Sequence, residues 1–449
     1  MKSKRDGFNS SFGALMAIAG SAIGLGNLWR FPYLVGENGG SIFILFYLIF
    51  VAIVCVPVIL SELVVGRKAQ ASIFGAFQKI APNTGWRHLG LLAITAAVAI
   101  SSFCSVIAGW TMEYVYQAAI NSFEGKTSAQ LLQFFTDFTT STFRPIMWLV
   151  LYLCMVAAII LGGVKSGVEK YSKILMPLLF VLMAVLAVRT VTLPGAGAGI
   201  DFLIRPDWSK FSSKVPLNAL GQAFLSLSIG MGVLVTYGSY MRKADNLTKI
   251  AIQGALADTS FAFIAAIAII PAVFAFGMEP TQGSGLAFIA LPAVFQQLPG
   301  GELFAIIFFV ILFIAALTSS ISLMEVQVAF MQEEWRMKRW TATLLATLTS
   351  VVLGVLCSLS FGILSSFKIF GNTIFELTDF VASNVLLPVG SLGFVIFAGW
   401  RLNKSVMYKE LLQGASGSIR RLMIVMFFVL KYVAPTAILW VFLSGFGLF

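Results

Sequence analysis

The sequence predicts an all-α membrane protein of eleven spans, organised as two five-span inverted repeats and one extra helix, and three observations predict it. First, 59% of the 449 residues are hydrophobic and 11% charged. That is more apolar surface than a soluble fold can hide, so the bilayer must be the solvent. Second, the apolar residues fall into runs of roughly 20 or more, the length of one crossing, bounded by charge, Gly or Pro. Third, two runs five spans apart are interrupted at their centres by small and polar residues.

In chain order the spans lie near 10–36, 41–66, 89–120, 146–163, 171–192, 216–240, 247–277, 302–331, 340–362, 374–400 and 421–447. The chain reads as one transmembrane domain over 1–449, with repeat one at about 8–192, repeat two at about 216–400 and the extra helix at about 421–447. Residues 8–36 are too long for a leader and lack a small-residue cleavage site, so they are expected to stay as the first helix. The inner stretch from Ala71 to Ile80 has apolar residues at helical spacing and is expected to lie along the membrane face in a structural role.

A net charge of +11 could indicate nucleic acid, but the placement of the positive residues argues for a membrane. Lys2, Lys4, Arg5, Arg67, Lys68, Lys79, Arg87, Lys165, Lys170, Lys173, Arg242, Lys243, Lys249, Arg336, Lys338, Arg339, Arg401, Lys404, Lys409, Arg420 and Arg421 fall on one side. The other side carries only Lys126, Arg144, Arg205, Lys210, Lys214 and Lys368. This bias sets the N-terminus in the cytoplasm and the C-terminus outside a multi-pass cell membrane. Cys55, Cys104, Cys154 and Cys357 all lie in spans, so they are expected to be small buried residues rather than a disulfide framework. A single histidine, His88, gives no basis for a zinc or proton-relay site. No nucleophile, base and cofactor come together in the pattern, so no enzyme is expected.

The first span contains Gly20-Ser21-Ala22-Ile23-Gly24-Leu25-Gly26-Asn27-Leu28-Trp29-Arg30-Phe31-Pro32. Three glycines and a serine propagate a helix poorly, and Asn27 and Arg30 are costly in hydrocarbon. Broken backbone is tolerated at membrane depth only where it is buried in protein or lines a wet cavity, so the freed carbonyls read as ligands. The sixth span repeats the pattern with Ser226, Ser228, Gly230 and Gly232. In the eighth, Ala315, Thr318, Ser319 and Ser322 form a small, polar stripe that could either pack closely or coordinate.

These residues resemble the neurotransmitter:sodium symporter family, and the bacterial, LeuT-like, eleven-span amino acid transporters in particular. The likeness covers nearly the whole chain. It includes Glu37-Asn38-Gly39-Gly40, Glu62 with Gly66-Arg67, Ser228 to Gly232, Tyr237 to Tyr240, and Leu317 to Ser320. The resemblance implies a LeuT-like fold with broken helices 1 and 6, and sodium-coupled secondary active import of an amino acid by alternating access. Two sodium sites are implied: Ala22, Asn27, Ser226 and Asp258 for the first, and Gly20, Ile23, Ala315, Thr318 and Ser319 for the second. Such a set of carbonyl, hydroxyl, amide and carboxylate oxygens suits a hard cation. Animal members usually carry Asn at the position of Asp258 and need chloride. A carboxylate is expected to remove that need, with Tyr47, Gln222 and Ala262 at the former chloride positions.

The implied substrate pocket is Ala22, Gly24, Gly26, Ile100, Cys104, Leu225, Ser226, Ser228, Met231, Ser319 and Leu323. Cys104 stands where the family usually has tyrosine, and Leu225 where it has phenylalanine. The extra volume points to an apolar or aromatic amino acid, its carboxylate anchored mainly by the Gly24 to Gly26 backbone and sodium. Arg30 and Asp379 match an outer gate; Arg5, Glu333 and Tyr240, backed by Phe8 and Ser239, match an inner gate in which Glu333 replaces Asp and Phe8 replaces Trp. Gly167 and Pro177 match a spacing that loosens the fifth span. Expected partners are an amino acid, sodium ions and the lipid bilayer, with a homodimer left open and no nucleic acid. Two alternatives remain: a non-transporting substrate sensor on the same fold, and a symporter of an amine or osmolyte that is not an α-amino acid.

Overall fold

The computed structural model describes residues 6–277, 286–297, 300–413 and 420–445. Among these, nine continuous helices are long and apolar enough to cross a bilayer: Ser41–Ala69, Arg87–Ala119, Phe143–Leu161, Val164–Val191, Leu247–Ala275, Gly301–Glu334, Arg339–Leu359, Ile374–Arg401 and Met423–Gly445. Two further crossings are broken. The first span is Ser11–Ala22 followed by Gly26–Glu37, bent by 53°. The sixth is Lys214–Ser226 followed by Val233–Tyr240, with residues 227–232 out of helix. Among the described residues the nine helices and the bent first pair have the length and composition of ten crossings, and the sixth expected crossing corresponds to the shorter broken pair.

The breaks have local causes. In the first span, Ile23 leaves the helix at φ −74°, ψ 102°, and the Asn27 side chain accepts a hydrogen bond from Gly24 N at 3.2 Å, holding the turn. Gly24 is required by the eighth span: a Cβ there would lie 2.6 Å from Ser319 Oγ. In the sixth span, Ser228 sits at φ 53° between helical halves, and its hydroxyl donates to the Ser21 carbonyl at 2.7 Å. The unwound segment of the sixth span thus satisfies a carbonyl beside the break in the first, the condition for broken backbone inside a membrane.

The long third and eighth spans pack side by side through the centre. The first and sixth lie against the eighth, and the fifth and seventh pack together behind the first. Without water to expel, this packing rests on close fit and hydrogen bonds between helices. One such bond joins the fourth and eighth spans, from Tyr152 Oη to Ser320 Oγ at 2.8 Å.

Three expectations need correction. The inner helix Ile73–Ile80 turns its apolar side inward: Ile73, Ala76 and Phe77 are buried against the second and third spans rather than lying on the membrane face. Of the four free cysteines only Cys55 and Cys357 are buried; Cys104 is half-buried and Cys154 exposed, because helical phase decides which side faces lipid. Pro177 stays within the helix Lys170–Val191, and the loosening sits at the Gly167 end, where Val164–Glu169 forms a wide turn after Gly163.

Candidate functional site

A cavity of 420 Å³ opens between the first, third, sixth, eighth and tenth spans. All eleven residues of the sequence-derived pocket line it. Ala22, Gly24 and Gly26 come from the first span, and Ile100 and Cys104 from the third. Leu225, Ser226, Ser228 and Met231 come from the sixth, and Ser319 and Leu323 from the eighth. Sequence reasoning missed Phe103, Ile107, Phe375, Ser383 and Asn384, which complete an apolar wall with a polar corner. Their only signal is a place one helical turn from residues already identified.

At the inner wall of this cavity lies Asp258, fully buried on the seventh span. Its Oδ1 accepts from Asn27 Nδ2 at 2.8 Å and its Oδ2 from Tyr47 Oη at 3.0 Å. Ser226 Oγ lies 2.8 and 2.9 Å from the two carboxylate oxygens and 3.1 Å from Asn27 Nδ2. Three of the four residues expected for the first cation site are thus in mutual contact, and the fourth, Ala22, lines the same cavity. Gln222, also buried, donates from Nε2 to the Gly26 carbonyl at 3.1 Å, and its Oε1 has no partner. A buried carboxylate surrounded by neutral donors, with no protein cation among its hydrogen-bond partners, is a natural counter-charge for a bound cation.

The residues expected for the second cation site meet between the first and eighth spans. Gly20 lies close enough to Thr318 that a Cβ would be 3.3 Å from Thr318 Cβ. The Ser319 hydroxyl points to the Ile23 carbonyl at 3.4 Å, and the Thr318 hydroxyl donates to the carbonyls of Ile314 and Ala315, each at 3.1 Å. Their lone pairs stay available for a cation, so the polar stripe both packs closely and gathers oxygen atoms.

Arg30 and Asp379 line the same cavity without forming a direct ion pair, and Asp379 Oδ1 accepts from Ser383 Oγ at 2.8 Å. The opposite side is packed. Phe8 is buried with its ring edge-on to Tyr237 and Tyr240, at centroid distances of 5.7 and 6.2 Å, and its N–H donates to the Tyr240 carbonyl at 3.1 Å. Arg5 lies outside the described residues. Glu333 accepts from the N–H of Ser72 at 2.6 Å.

The Tyr240 hydroxyl donates to Glu325 Oε1 at 2.8 Å, and Glu325 also pairs with Arg339 at 2.6 Å. Nearby, buried Arg67 holds Glu410 at 2.9 Å and the Asp245 carbonyl at 2.7 Å. Asp245 in turn binds Ser11 Oγ at 2.6 Å and Arg242 at 2.7 Å. Burial would raise the Asp245 carboxyl, but the hydrogen bonds from Arg242 and Ser11 hold it below its ordinary value. This network was missed in the sequence, although a glutamate inside an apolar run, as at Glu325, is itself a signal of a buried partner.

The chain is similar to known proteins over nearly its whole length. The model of the Sodium:neurotransmitter symporter family matches residues 5–130 and 128–448. An uncharacterised sodium-dependent transporter of Bacillus subtilis, YhdH, is 37% identical over 98% of this chain and 97% of its own length. A second from Haemophilus influenzae is 35% identical over 98% of each. The crystal structure of MhsT in complex with L-phenylalanine superposes with a TM-score of 0.91 at 41% identity, covering 98% of this chain and 100% of that one.

Proposed function

Since the chain belongs to the Sodium:neurotransmitter symporter family, we propose that it imports a bulky apolar or aromatic amino acid with two sodium ions, by alternating access and without chloride. The carrying observation is Asp258, a buried carboxylate held by Asn27, Ser226 and Tyr47 beside the broken helices. Tyr47, one of the former chloride positions, already serves Asp258 here, as does Ser226. The fixed negative charge then does the work an added anion does elsewhere.

The cavity volume lies within the usual range for small-molecule sites, about 300 to 1,000 Å³, and its lining is mostly apolar. Cys104 and Leu225 on its walls leave room for a large side chain, and the phenylalanine bound in the MhsT structure supports that class. The substrate carboxylate is expected beside Asn27 and the first sodium. Gly24 N is already donated to Asn27, so the anchor rests on the rest of the turn and on sodium rather than on all three residues of Gly24 to Gly26.

Sodium at Ala22, Asn27, Ser226 and Asp258 offsets the buried charge, and a second sodium at Gly20, Ile23, Ala315, Thr318 and Ser319 ties the first span to the eighth. Both ions favour closure around substrate, so each ligand binds better when the other is present. Arg30 and Asp379 close the outer side, and the Phe8 and Tyr240 contacts release the inner side. Spans 1, 2, 6 and 7 then rock against the rest. The charge placement supports a cytoplasmic N-terminus and an external C-terminus, with import driven inward.

Uptake by proteoliposomes under an inward sodium gradient, with chloride replaced by gluconate, tests the whole reading. Accumulation of phenylalanine, tryptophan or leucine is the expected result. Binding and counterflow without accumulation would make the protein a sensor, and accumulation of betaines or amines alone would overturn the substrate class.

A further inference from the structure

Transport as described gives no use to a cation of the eleventh span. Lys431 lies inside the apolar run Met423–Gly445 of the eleventh span, well past its first turn. At about 1.5 Å per residue it stands roughly 12 Å along the helix from Met423. A lysine at that depth is costly in hydrocarbon and requires a partner. Among the described residues no carboxylate pairs with it. Its ammonium lies instead over the rings of Trp400 at 6.0 Å and Tyr432 at 5.5 Å. Both rings are about half exposed on the outer surface of the bundle, so the ammonium opens toward lipid and away from the central cavity.

The backbone is shaped to produce this placement. Phe397–Arg401 and Val429–Val433 are both wide helical turns, closed by Leu402 N to the Phe397 carbonyl and Ala434 N to the Val429 carbonyl. The two meet at Gly399, where a Cβ would lie 2.8 Å from the Leu430 carbonyl oxygen and 3.2 Å from Lys431 Cα. Glycine permits this backbone contact, which sets Lys431 beside Trp400. Arg401 and Lys404 follow at once and are exposed, with the Lys404 ammonium 5.4 Å from the Phe427 ring centroid. The one acidic residue after position 400 is Glu410, whose carboxylate is held by Arg67. Among the described residues, the seam between the tenth and eleventh spans around Trp400 and Lys431 therefore presents positive charge and aromatic faces with no carboxylate paired to Lys431.

We propose that this seam binds the headgroup of an anionic phospholipid, its phosphate answering Lys431 and Arg401. A lipid fits better than a soluble anion because the site opens on the lipid-facing surface, between half-exposed rings. Aromatic rings beside a basic residue are also the usual anchors at a membrane interface. The leaflet is the one on the side of the N-terminus, which rests on the orientation read above; the site itself does not depend on transport.

Native mass spectrometry of the full chain from detergent, mixed with equal phosphatidylglycerol and phosphatidylcholine, reads the binding directly. The wild type is expected to retain phosphatidylglycerol preferentially. Lys431→Gln is expected to weaken that retention roughly five-fold, the scale of one basic residue near an anionic surface, while Lys431→Arg keeps it. Should Lys431→Gln fail to fold, Trp400→Leu reads the same seam and is expected to lower retention by a smaller factor. No preference in the wild type, or unchanged retention in the variant measured, overturns the proposal. Displacement of the lipid by inorganic phosphate overturns it as well, since the site would then take a soluble anion. Because neither sodium nor substrate is present, failure here leaves the symport reading untouched, and failure of transport leaves this one untouched.

Discussion

Asp258 concentrates the chemistry of the cavity in one side chain. Replacing it with asparagine removes the charge but keeps the shape, so the bonds to Asn27, Ser226 and Tyr47 must be rearranged rather than deleted. A charge-assisted bond contributes about 1.5 to 3 kcal/mol, so Asp258→Asn is expected to weaken sodium-dependent binding by about ten-fold or more. Added chloride should recover part of the loss. Sodium titrations of substrate binding, with and without chloride, check both statements. Cys104 carries the second residue-scale prediction. It lines the cavity, and a tyrosine there would fill volume and add a hydroxyl. Cys104→Tyr is expected to shift preference from aromatic toward smaller amino acids, as read by competition against a labelled aromatic substrate.

Helices meet closely where the first span breaks, and this contact decides what an added methyl does. At Gly24 a Cβ would stand 2.6 Å from Ser319 Oγ, so the Ser319 hydroxyl must turn away from the Ile23 carbonyl to accept it. Gly24→Ala is therefore expected to abolish sodium-driven uptake while the protein still reaches the membrane, a result that uptake and surface yield measured together would show. The start of the first span is fastened through Ser11 to Asp245, whose carboxyl is held below its ordinary value. A group depressed in the folded state stabilises fully above its unfolded value, about 3.9 for aspartate, and loses that contribution as pH falls through the folded value. The difference in melting temperature between wild type and Asp245→Asn is thus expected to persist from neutral pH down to about pH 5, to shrink below the unfolded aspartate value and to be lost once pH has fallen through the lower, folded value. Melting curves of the two proteins across that range decide it.

Across the whole molecule Phe8 and Tyr240 pack edge-on at one end of the bundle, while Arg30 and Asp379, which line the cavity, are not joined. An exposed, partly wet pair contributes little, which suits a gate that must open repeatedly. Each sodium carried inward gains about 2.3 kcal/mol per 100 mV from charge movement alone. If two sodium ions enter with a neutral substrate, uptake should carry net positive charge and rise when the vesicle interior is made negative; a potassium-diffusion potential imposed on proteoliposomes provides the check.

The sequence by itself determined ten of the crossings, the two broken helices and the polar stripe of the eighth span. Those features follow from local chemistry: apolar run length, glycine and serine interrupting helical bonding, and residue spacing on one face. The residues of the cavity were also legible, because a resemblance to known transporters placed them. Packing alone decided that Cys154 faces outward, that Ile73–Ile80 turns inward, and that Tyr240 reaches Glu325, which Arg339 also holds. It also decided that Tyr47 and Ser226 both serve Asp258 and that Lys431 stands beside Trp400. Each of these depends on the rotation of one helix about its axis against others distant in the chain, and no residue records that angle in its own neighbourhood.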